Sequence, residues 1–176
     1  MDLLQTPIAS VRAVDPKSYE KLMNKRIEYV LKQSLFGSYF AAFDQEELCF
    51  LKFYDSNEEA ALEHIKKQFK NAVVVCRPDF QPPQELKLLL IGTDFEVSVW
   101  KALLKIHPGN TSSYNDIATV IEHPKSVRAV GNAVGKNPIS YIVPCHRVVR
   151  KNGELGGFAS GPQRKLKMLH FEGAKI

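Results

Sequence analysis

The chain has 176 residues, the size of one domain or of two small ones. It is 44% hydrophobic and 24% charged, which excludes a disordered or fibrous protein. Three scattered cysteines exclude a disulfide framework, and the longest apolar runs, such as residues 88–91, are far too short to span a membrane. No signal peptide is recognisable, so we expect a cytoplasmic protein, or a nuclear one if the source is eukaryotic, with no membrane partner.

The net charge of +5 is unevenly distributed. Residues 1–90 hold 12 Lys and Arg against 13 Asp and Glu, a net charge of −1. Residues 91–176 hold 12 against 6, a net charge of +6. This asymmetry indicates either that the second part binds a polyanion or that it has a solvated basic surface, and charge alone does not distinguish the two.

Residues 1–90 have the pattern of an α/β scaffold domain with a small antiparallel sheet and a helix. Aromatic and β-branched segments predict strands at residues 27–32 (where a helix fits nearly as well), 38–43, 48–54 and 72–76. Residues 44–47 suit a hairpin turn. Ser56 and Glu59 form a capping box that predicts the start of a helix. The paired prolines within residues 81–84 make that stretch the best linker candidate.

Residues 91–176 predict a mainly helical second domain. Thr93 and Glu96 form a capping box for a helix that Pro108-Gly109 ends. Further helices are predicted at about residues 113–121, at about 126–136, and from Pro162 to just before Gly173. Of these, the first two are short, are joined by about four residues, and the second is basic. That is a helix-turn-helix pattern, typical of DNA-binding domains, although many helical hairpins bind nothing.

Residues 137–149 carry the chemistry. Their apolar, β-branched composition predicts a buried strand or turn, yet Cys145, His146 and Arg147 are consecutive within it, and such polar groups are costly to bury without a function. A cysteine is nucleophilic as the thiolate, which a nearby imidazole favours. Adjacent side chains on an extended chain point to opposite faces, so contact between these two requires a bend after Pro144 or a bridging water. Glu172 is a candidate for orienting the imidazole.

The hexapeptide of residues 144–149, Pro-Cys-His-Arg-Val-Val, preceded by Asn137-Pro138, resembles the active-site signature of the O6-alkylguanine-DNA alkyltransferases, or methylated-DNA–protein-cysteine methyltransferases. The resemblance runs from Gly92 to Gly173, about half of the chain. Its other matching positions include Trp100, Tyr114, Ile117-Ala118, Arg128-Ala129-Val130-Gly131, Gly156, Lys165, Leu169 and Glu172. Residues 1–90 resemble the family's first domain in layout only.

The resemblance implies DNA repair by direct reversal. The protein would bind double-stranded DNA containing alkylated guanine through the minor groove and flip the base outward. It would then move the alkyl group from O6 of guanine, and from O4 of alkylthymine, to Cys145 in one irreversible turnover. We expect a monomer and neither a metal nor an organic cofactor. A structural zinc is not expected either, because the cysteines and histidines of the first domain are not clustered.

The resemblance also assigns roles to individual residues. In catalysis, Cys145 would be the nucleophile, His146 its base through water, Glu172 the group that orients His146, Tyr114 a proton donor to the base, and Asn137 a brace for the loop. DNA contacts would come from Arg128, which fills the space left by the flipped base, and from Tyr114, Asn115, Val127, Ala129, Gly131 and Lys151. The substrate pocket would be lined by Val148, Phe158, Ala159 and Trp100, although Trp100 also fits a core anchor. The carbonyls of Cys145 and Val148 would accept hydrogen bonds from the guanine edge.

Three positions depart from the family pattern, and two other functions stay open. Phe158 stands where tyrosine is common, Glu96 where glutamine is common, and His107 where proline is more usual, a change we read as neutral. The other cysteines, Cys49 and Cys76, lie in apolar strand contexts and are expected to be inert core residues. The alternative functions are a Cys-His hydrolase that turns over repeatedly and a DNA-binding module that recognises alkylated bases without repairing them.

Overall fold

The computed structural model describes residues 2–22, 24–55 and 58–176. The chain is an α/β protein that divides into two compact units, Met1–Thr93 and Asp94–Ile176. This division falls shortly after the boundary expected at residue 90. No helix in the described part of the chain is both long enough and apolar enough to cross a membrane.

The first unit is built on one six-stranded sheet with two short helices. Its strands are β1 (Ile8–Val14), β2 (Arg26–Ser34), β3 (Gly37–Asp44), β4 (Glu47–Phe53), β5 (Val73–Cys76) and β6 (Leu86–Ile91). Its helices are α1 (Pro16–Glu20) and α2 (Glu58–Gln68). The Ser56 half of the capping box expected before α2 lies outside the described residues.

The sheet is mixed, so the prediction of an antiparallel sheet was wrong in part. Its strand order is β1-β6-β4-β3-β2-β5. Only the central strands β2, β3 and β4 pair antiparallel, as consecutive hairpins do. Strand β6 pairs parallel with both β1 and β4, and β5 pairs parallel with β2. The parallel pairs arise because helix α2 carries the chain back across the sheet before β5, and the segment after β5 returns it to β6.

The structure corrects two further predictions for the first unit. Residues 81–84 connect β5 to β6 within the first unit and are not a linker between the units. Cys49 is buried in the core with Phe40, Phe50 and Ile65, but Cys76 is exposed at the end of edge strand β5 and is not a core residue.

The second unit is mainly helical. Its helices are α3 (Asp94–Leu103), α4 (Tyr114–Val120), α5 (Val127–Gly135) and α6 (Pro162–Phe171). A short parallel pair, β7 (Ser112–Ser113) with β8 (Val148–Val149), joins two distant parts of the chain. Helices α3, α4 and α5 pack on one another through buried apolar side chains.

Local sequence signals explain where several of these helices begin. Ser113 caps α4 through a reciprocal capping box with Asp116 that the sequence analysis did not identify. Pro162 occupies the first turn of α6, where its missing N–H costs nothing.

The Glu96 carboxylate on α3 accepts a hydrogen bond from Lys136 Nζ at 2.7 Å, which ties α3 to the end of α5.

Candidate active site

Cys145 begins a single 3-10 turn, Cys145–Arg147, that leads directly into β8. The chain bends at Pro144, with φ −82° and ψ 63°, which is the first of the two alternatives, a bend or a bridging water, that the sequence left open. Cys145 is 7% exposed, so its thiol lies just beneath the surface of the second unit. Successive side chains of a 3-10 turn point about 120° apart, so Cys145 and His146 are not confined to opposite faces as they would be on an extended chain.

The amide of Asn137 holds the loop that carries Cys145. Its Nδ2 donates to the Val143 carbonyl at 2.7 Å and lies 3.0 Å from Cys145 Sγ. Its Oδ1 accepts a hydrogen bond from the Ile139 N–H at 3.0 Å. Asn137 is buried, and these bonds use both ends of its amide, so it fixes the loop and contacts the sulfur at once.

His146 and Glu172 form a buried pair. His146 Nε2 lies 3.0 Å from Glu172 Oε1, and neither side chain is more than 4% exposed. Burial alone would raise the pKa of the Glu172 carboxyl, but hydrogen bonds from His146 and Arg147 outweigh it and hold the pKa at about 2. Glu172 is therefore a carboxylate at neutral pH, and sequence spacing alone could not have paired it with His146.

The other nitrogen of the imidazole is available. Burial lowers the pKa of His146, against the opposing effect of Glu172, so the ring is neutral at neutral pH. Because Nε2 faces an ionised carboxylate, hydrogen-bonding logic assigns the proton to Nε2 and leaves Nδ1 as an acceptor. Nδ1 is buried and has no hydrogen-bond partner within the described residues. The arrangement can accept a proton at this atom.

Arg147 and Tyr141 complete the surroundings of the pair, and sequence reasoning gave neither a role. Arg147 donates to both Glu172 oxygens, from Nε at 2.9 Å and from Nη2 at 2.8 Å, and also to the Ile106 carbonyl. The Tyr141 ring is stacked on the His146 ring with centroids 5.2 Å apart and planes 6° apart. The imidazole is thus held at its edge and on its face.

Lys165 is a third residue whose role the sequence did not reveal. It is fully buried on α6, and its Nζ donates to the carbonyls of Val148, at 2.6 Å, and of Leu155. Burial lowers its pKa to about 8, and the nearby Cys145 acts in the opposite direction. The sequence did contain one signal of this burial, since Lys165 lies on the same face of α6 as the apolar residues Met168 and Leu169.

Tyr114 lies half-buried at the start of α4, between two glycines. A side chain at Gly131 would touch its ring, and one at Gly156, whose φ is +67°, would come within 3.3 Å of its hydroxyl. Burial and the neighbouring Cys145 both raise the pKa of Tyr114, so the phenol keeps its proton. Tyr114, Cys145 and Lys165 therefore belong to one electrostatic neighbourhood.

The predicted DNA-contacting side chains lie toward the surface of the same unit. Arg128 is the second residue of α5, is exposed, and makes no hydrogen bond or ion pair with the residues the structure describes. The remaining exposed members of the set are Asn115, Ala129 and Lys151, and the half-buried ones are Val127 and Gly131.

The predicted pocket residues separate into two groups. Phe158 is half-buried and Ala159 exposed in the irregular segment before α6, and buried Val148 presents the carbonyl that Lys165 binds. Trp100, in contrast, is 2% exposed, and its Nε1 donates to the Ala133 carbonyl at 2.8 Å. Trp100 belongs to the helical core and not to the pocket. Among the described residues, no cluster of His, Cys, Asp or Glu could hold a metal ion.

Comparisons with known proteins identify the family of this chain. The family model described as 6-O-methylguanine DNA methyltransferase, DNA binding domain, matches residues 94–174. A probable methylated-DNA–protein-cysteine methyltransferase of Acanthamoeba polyphaga mimivirus is 55% identical over 87 residues, 49% of this chain and 58% of the relative. The methyltransferase of Methanosarcina barkeri is 46% identical over 110 residues, 61% of this chain and 70% of the relative. The chain spans just over half of the length of the first curated relatives it matches.

Solved structures extend the likeness beyond the second unit. The structure of Mycobacterium tuberculosis OGT in complex with DNA has a TM-score of 0.68 and 32% sequence identity, and the match covers 83% of this chain and 92% of that one. The O6-methylguanine-DNA methyltransferase of Pyrococcus kodakaraensis, at 24% identity and a TM-score of 0.63, shares the fold. From these matches, this chain belongs to the methylated-DNA–protein-cysteine methyltransferase family.

Proposed function

We propose that this protein repairs DNA by direct reversal. It transfers the alkyl group of O6-alkylguanine, and of O4-alkylthymine, from duplex DNA to Cys145 in a single irreversible turnover. The observation that carries the proposal is the Cys145 thiol on a tight turn, braced by Asn137 and followed by a neutral imidazole that is hydrogen-bonded to a buried carboxylate. Activated cysteine nucleophiles have this arrangement of nucleophile, base and orienting acid.

The proton and the alkyl group follow separate paths. The Cys145 thiol gives its proton through a water molecule to Nδ1 of His146, while Glu172 holds the ring at Nε2. The sulfur attacks the alkyl carbon, a C–S bond forms, and the bond from that carbon to O6 breaks with its electron pair leaving on the base. Tyr114 donates a proton to the base, which stays in the DNA strand as unmodified guanine, and the proton taken up by His146 returns to Tyr114 through solvent. The product thioether is a poor leaving group, so the protein is consumed.

The guanine edge has two acceptors available to it. The Cys145 carbonyl accepts the Val148 N–H, and the Val148 carbonyl accepts Lys165 Nζ, so each oxygen keeps a second lone pair for the base. Phe158 supplies an apolar face for stacking, and Ala159 leaves room beside it. Lys165 therefore orients one of the groups that read the base.

DNA would be bound by helices α4 and α5 acting as a helix-turn-helix. Arg128 projects from the exposed first turn of α5, where it is free to enter the minor groove and occupy the space of the flipped nucleotide. The small neighbours Val127, Ala129 and Gly131 permit close approach, and Asn115 and Lys151 add polar and basic contacts. The net charge of +6 on residues 91–176 favours a polyanion. The protein would act as a monomer.

Intact-protein mass spectrometry after incubation with duplex DNA containing O6-methylguanine tests the proposal. We expect one added methyl group, located on Cys145, and repaired base equal in amount to the protein. Cys145→Ser should abolish the adduct, whereas Cys76→Ser, the matched change at an exposed cysteine, should leave it intact. Product in excess over protein would favour the repeating hydrolase, and DNA binding without an adduct would favour the recognition module.

A further inference from the structure

The Tyr141 side chain has an unusual relation to His146. The two rings are nearly parallel, with planes 6° apart and centroids 5.2 Å apart, which is an offset-stacked geometry. His146 is fully buried, and its Nε2 is hydrogen-bonded to Glu172 at 3.0 Å. A single hydrogen bond fixes one direction of an imidazole but leaves its plane free to turn about that bond. The stacked ring removes this freedom.

The backbone at Tyr141 is unfavourable for its side chain. Its φ is +71°, in the left-handed region that glycine and asparagine adopt readily and bulky residues rarely do. Hydrogen bonds from Ile142 N–H to the Ser140 carbonyl at 3.0 Å and from Val143 N–H to the Ile139 carbonyl at 2.9 Å hold this turn. Strain of this kind persists where the surroundings enforce it, and it is concentrated at functional sites.

We propose that Tyr141 is a positioning residue for His146, whose ring sets the plane of the imidazole so that Nδ1 faces the nucleophile. This role rests on the alkyl-transfer function proposed above. It explains why a tyrosine stands at a backbone position that would suit glycine better. The Tyr141 ring does not touch substrate in this role and acts only through His146.

The ring also contributes to the burial of His146. Burial is the main cause that lowers the pKa of this imidazole, and Glu172 opposes it. The positive charges of Arg147 and Lys165 also lower the pKa of His146. Removal of the Tyr141 ring would admit water to the imidazole face and leave these three charges in place. The pKa of His146 would then rise, and less of the neutral base would be present at mildly acidic pH.

Three variants separate the ring from the backbone. Tyr141→Gly and Tyr141→Asn remove the ring and suit the left-handed backbone, whereas Tyr141→Phe keeps the ring. The single-turnover rate of methyl transfer from O6-methylguanine duplex DNA is measured between about pH 5 and 8. We expect the Gly and Asn variants to react about threefold to tenfold more slowly at pH 6, as expected for loss of one aromatic pair. In these two variants, the fall of the rate at acidic pH should begin at a higher pH than in the wild type. Tyr141→Phe should keep both the wild-type rate and the wild-type pH dependence.

A matched control tests whether relief of backbone strain by itself matters. Gln45 in the β3–β4 turn of the first unit also has a positive φ, +57°, and Gln45→Gly should leave rate and pH profile unchanged. The inference would be overturned if both the Gly and the Asn variant had the wild-type rate and the wild-type pH dependence of that rate. A Phe variant as slow as the Gly variant would also overturn it. Absence of an adduct in the wild type would refute the proposed function itself, which is a different outcome.

Discussion

Arg147 donates two hydrogen bonds to the Glu172 carboxylate, from Nε to Oε2 at 2.9 Å and from Nη2 to Oε1 at 2.8 Å. The Oε1 atom also faces His146 Nε2, so one oxygen serves both partners. The side chains of Arg147 and Glu172 are 11% and 4% exposed. This ion pair is therefore shielded from solvent and belongs to the candidate site, while the exposed pairs of the protein do not.

Arg147→Met should destabilise the protein strongly, because it leaves a buried carboxylate without its bidentate partner. Removing one member of a buried pair costs about 3 kcal/mol or more. Urea denaturation at pH 7 measures this loss in the free energy of unfolding. The control is Arg150→Met, which breaks an exposed pair with Glu154 and should cost about 0.5 kcal/mol or less. Equal losses in the two variants would contradict the structural role of the Arg147–Glu172 pair.

Glu172 should contribute a stability that disappears in acid. Its pKa is about 2 in the folded protein against an ordinary 4.5, so the unfolded chain binds this proton more readily. The contribution is present above about pH 5 and is lost as the pH falls toward about 2, with a size of at most about 3 kcal/mol. The free energy of unfolding, followed from pH 6 to about 3, should fall more steeply in the wild type than in Glu172→Gln. Parallel curves would show that the carboxylate is not held in its ionised form.

Asn137→Ala should loosen the loop that carries the nucleophile. It removes the bond to the Val143 carbonyl, which keeps the Cys145 N–H at 2.8 Å, and the bond to the buried Ile139 N–H, which is left without a described partner, at a cost of about 2 kcal/mol. Methyl transfer per folded molecule should also slow, because Cys145 loses its contact at 3.0 Å. Asn152→Ala, at an exposed turn, is the comparison and should change neither the free energy of unfolding nor the rate. An active and stable Asn137→Ala protein would remove Asn137 from the site.

Arg128→Ala should separate base flipping from chemistry. Because Arg128 is exposed and makes no hydrogen bond or ion pair with a described residue, the fold should be unaffected. Methyl transfer from duplex DNA should fall much more than reaction with the free alkylated base, which needs no flipping. Lys125→Ala, an exposed basic change in the connection between α4 and α5, should weaken DNA binding only modestly. Equal losses on both substrates would contradict the role of Arg128 as a replacement for the base.

Local signals in the sequence were sufficient to predict some strands and helices but not others. Strands β3 and β4 were predictable because a short polar turn joins two aromatic segments. The parallel partners β1 and β6 were not, since Ile8 pairs with Leu86 and no local pattern identifies a partner so distant in the chain. In the second unit the helix boundaries follow capping residues and prolines, which act locally.

In the candidate site too, local sequence patterns identified some residues and missed those whose role depends on the folded structure. Cys145 and His146 were identified because adjacent reactive residues in an apolar segment are conspicuous. Tyr141 was missed because neither its positive φ nor its stacking is visible in composition. Lys165 was matched to the family but given no role, since only the folded chain brings its ammonium group to two backbone carbonyls.

All the groups proposed for the reaction, from Tyr114 to Glu172, lie within the unit Asp94–Ile176. Apolar substitutions in the first unit that preserve its sheet should therefore leave the proposed chemistry unchanged. This explains why alignment with the curated relatives covers about half of the chain while the match to a solved structure covers 83% of it. The second unit therefore carries most of the sequence likeness, whereas the likeness of the first unit is mainly one of fold.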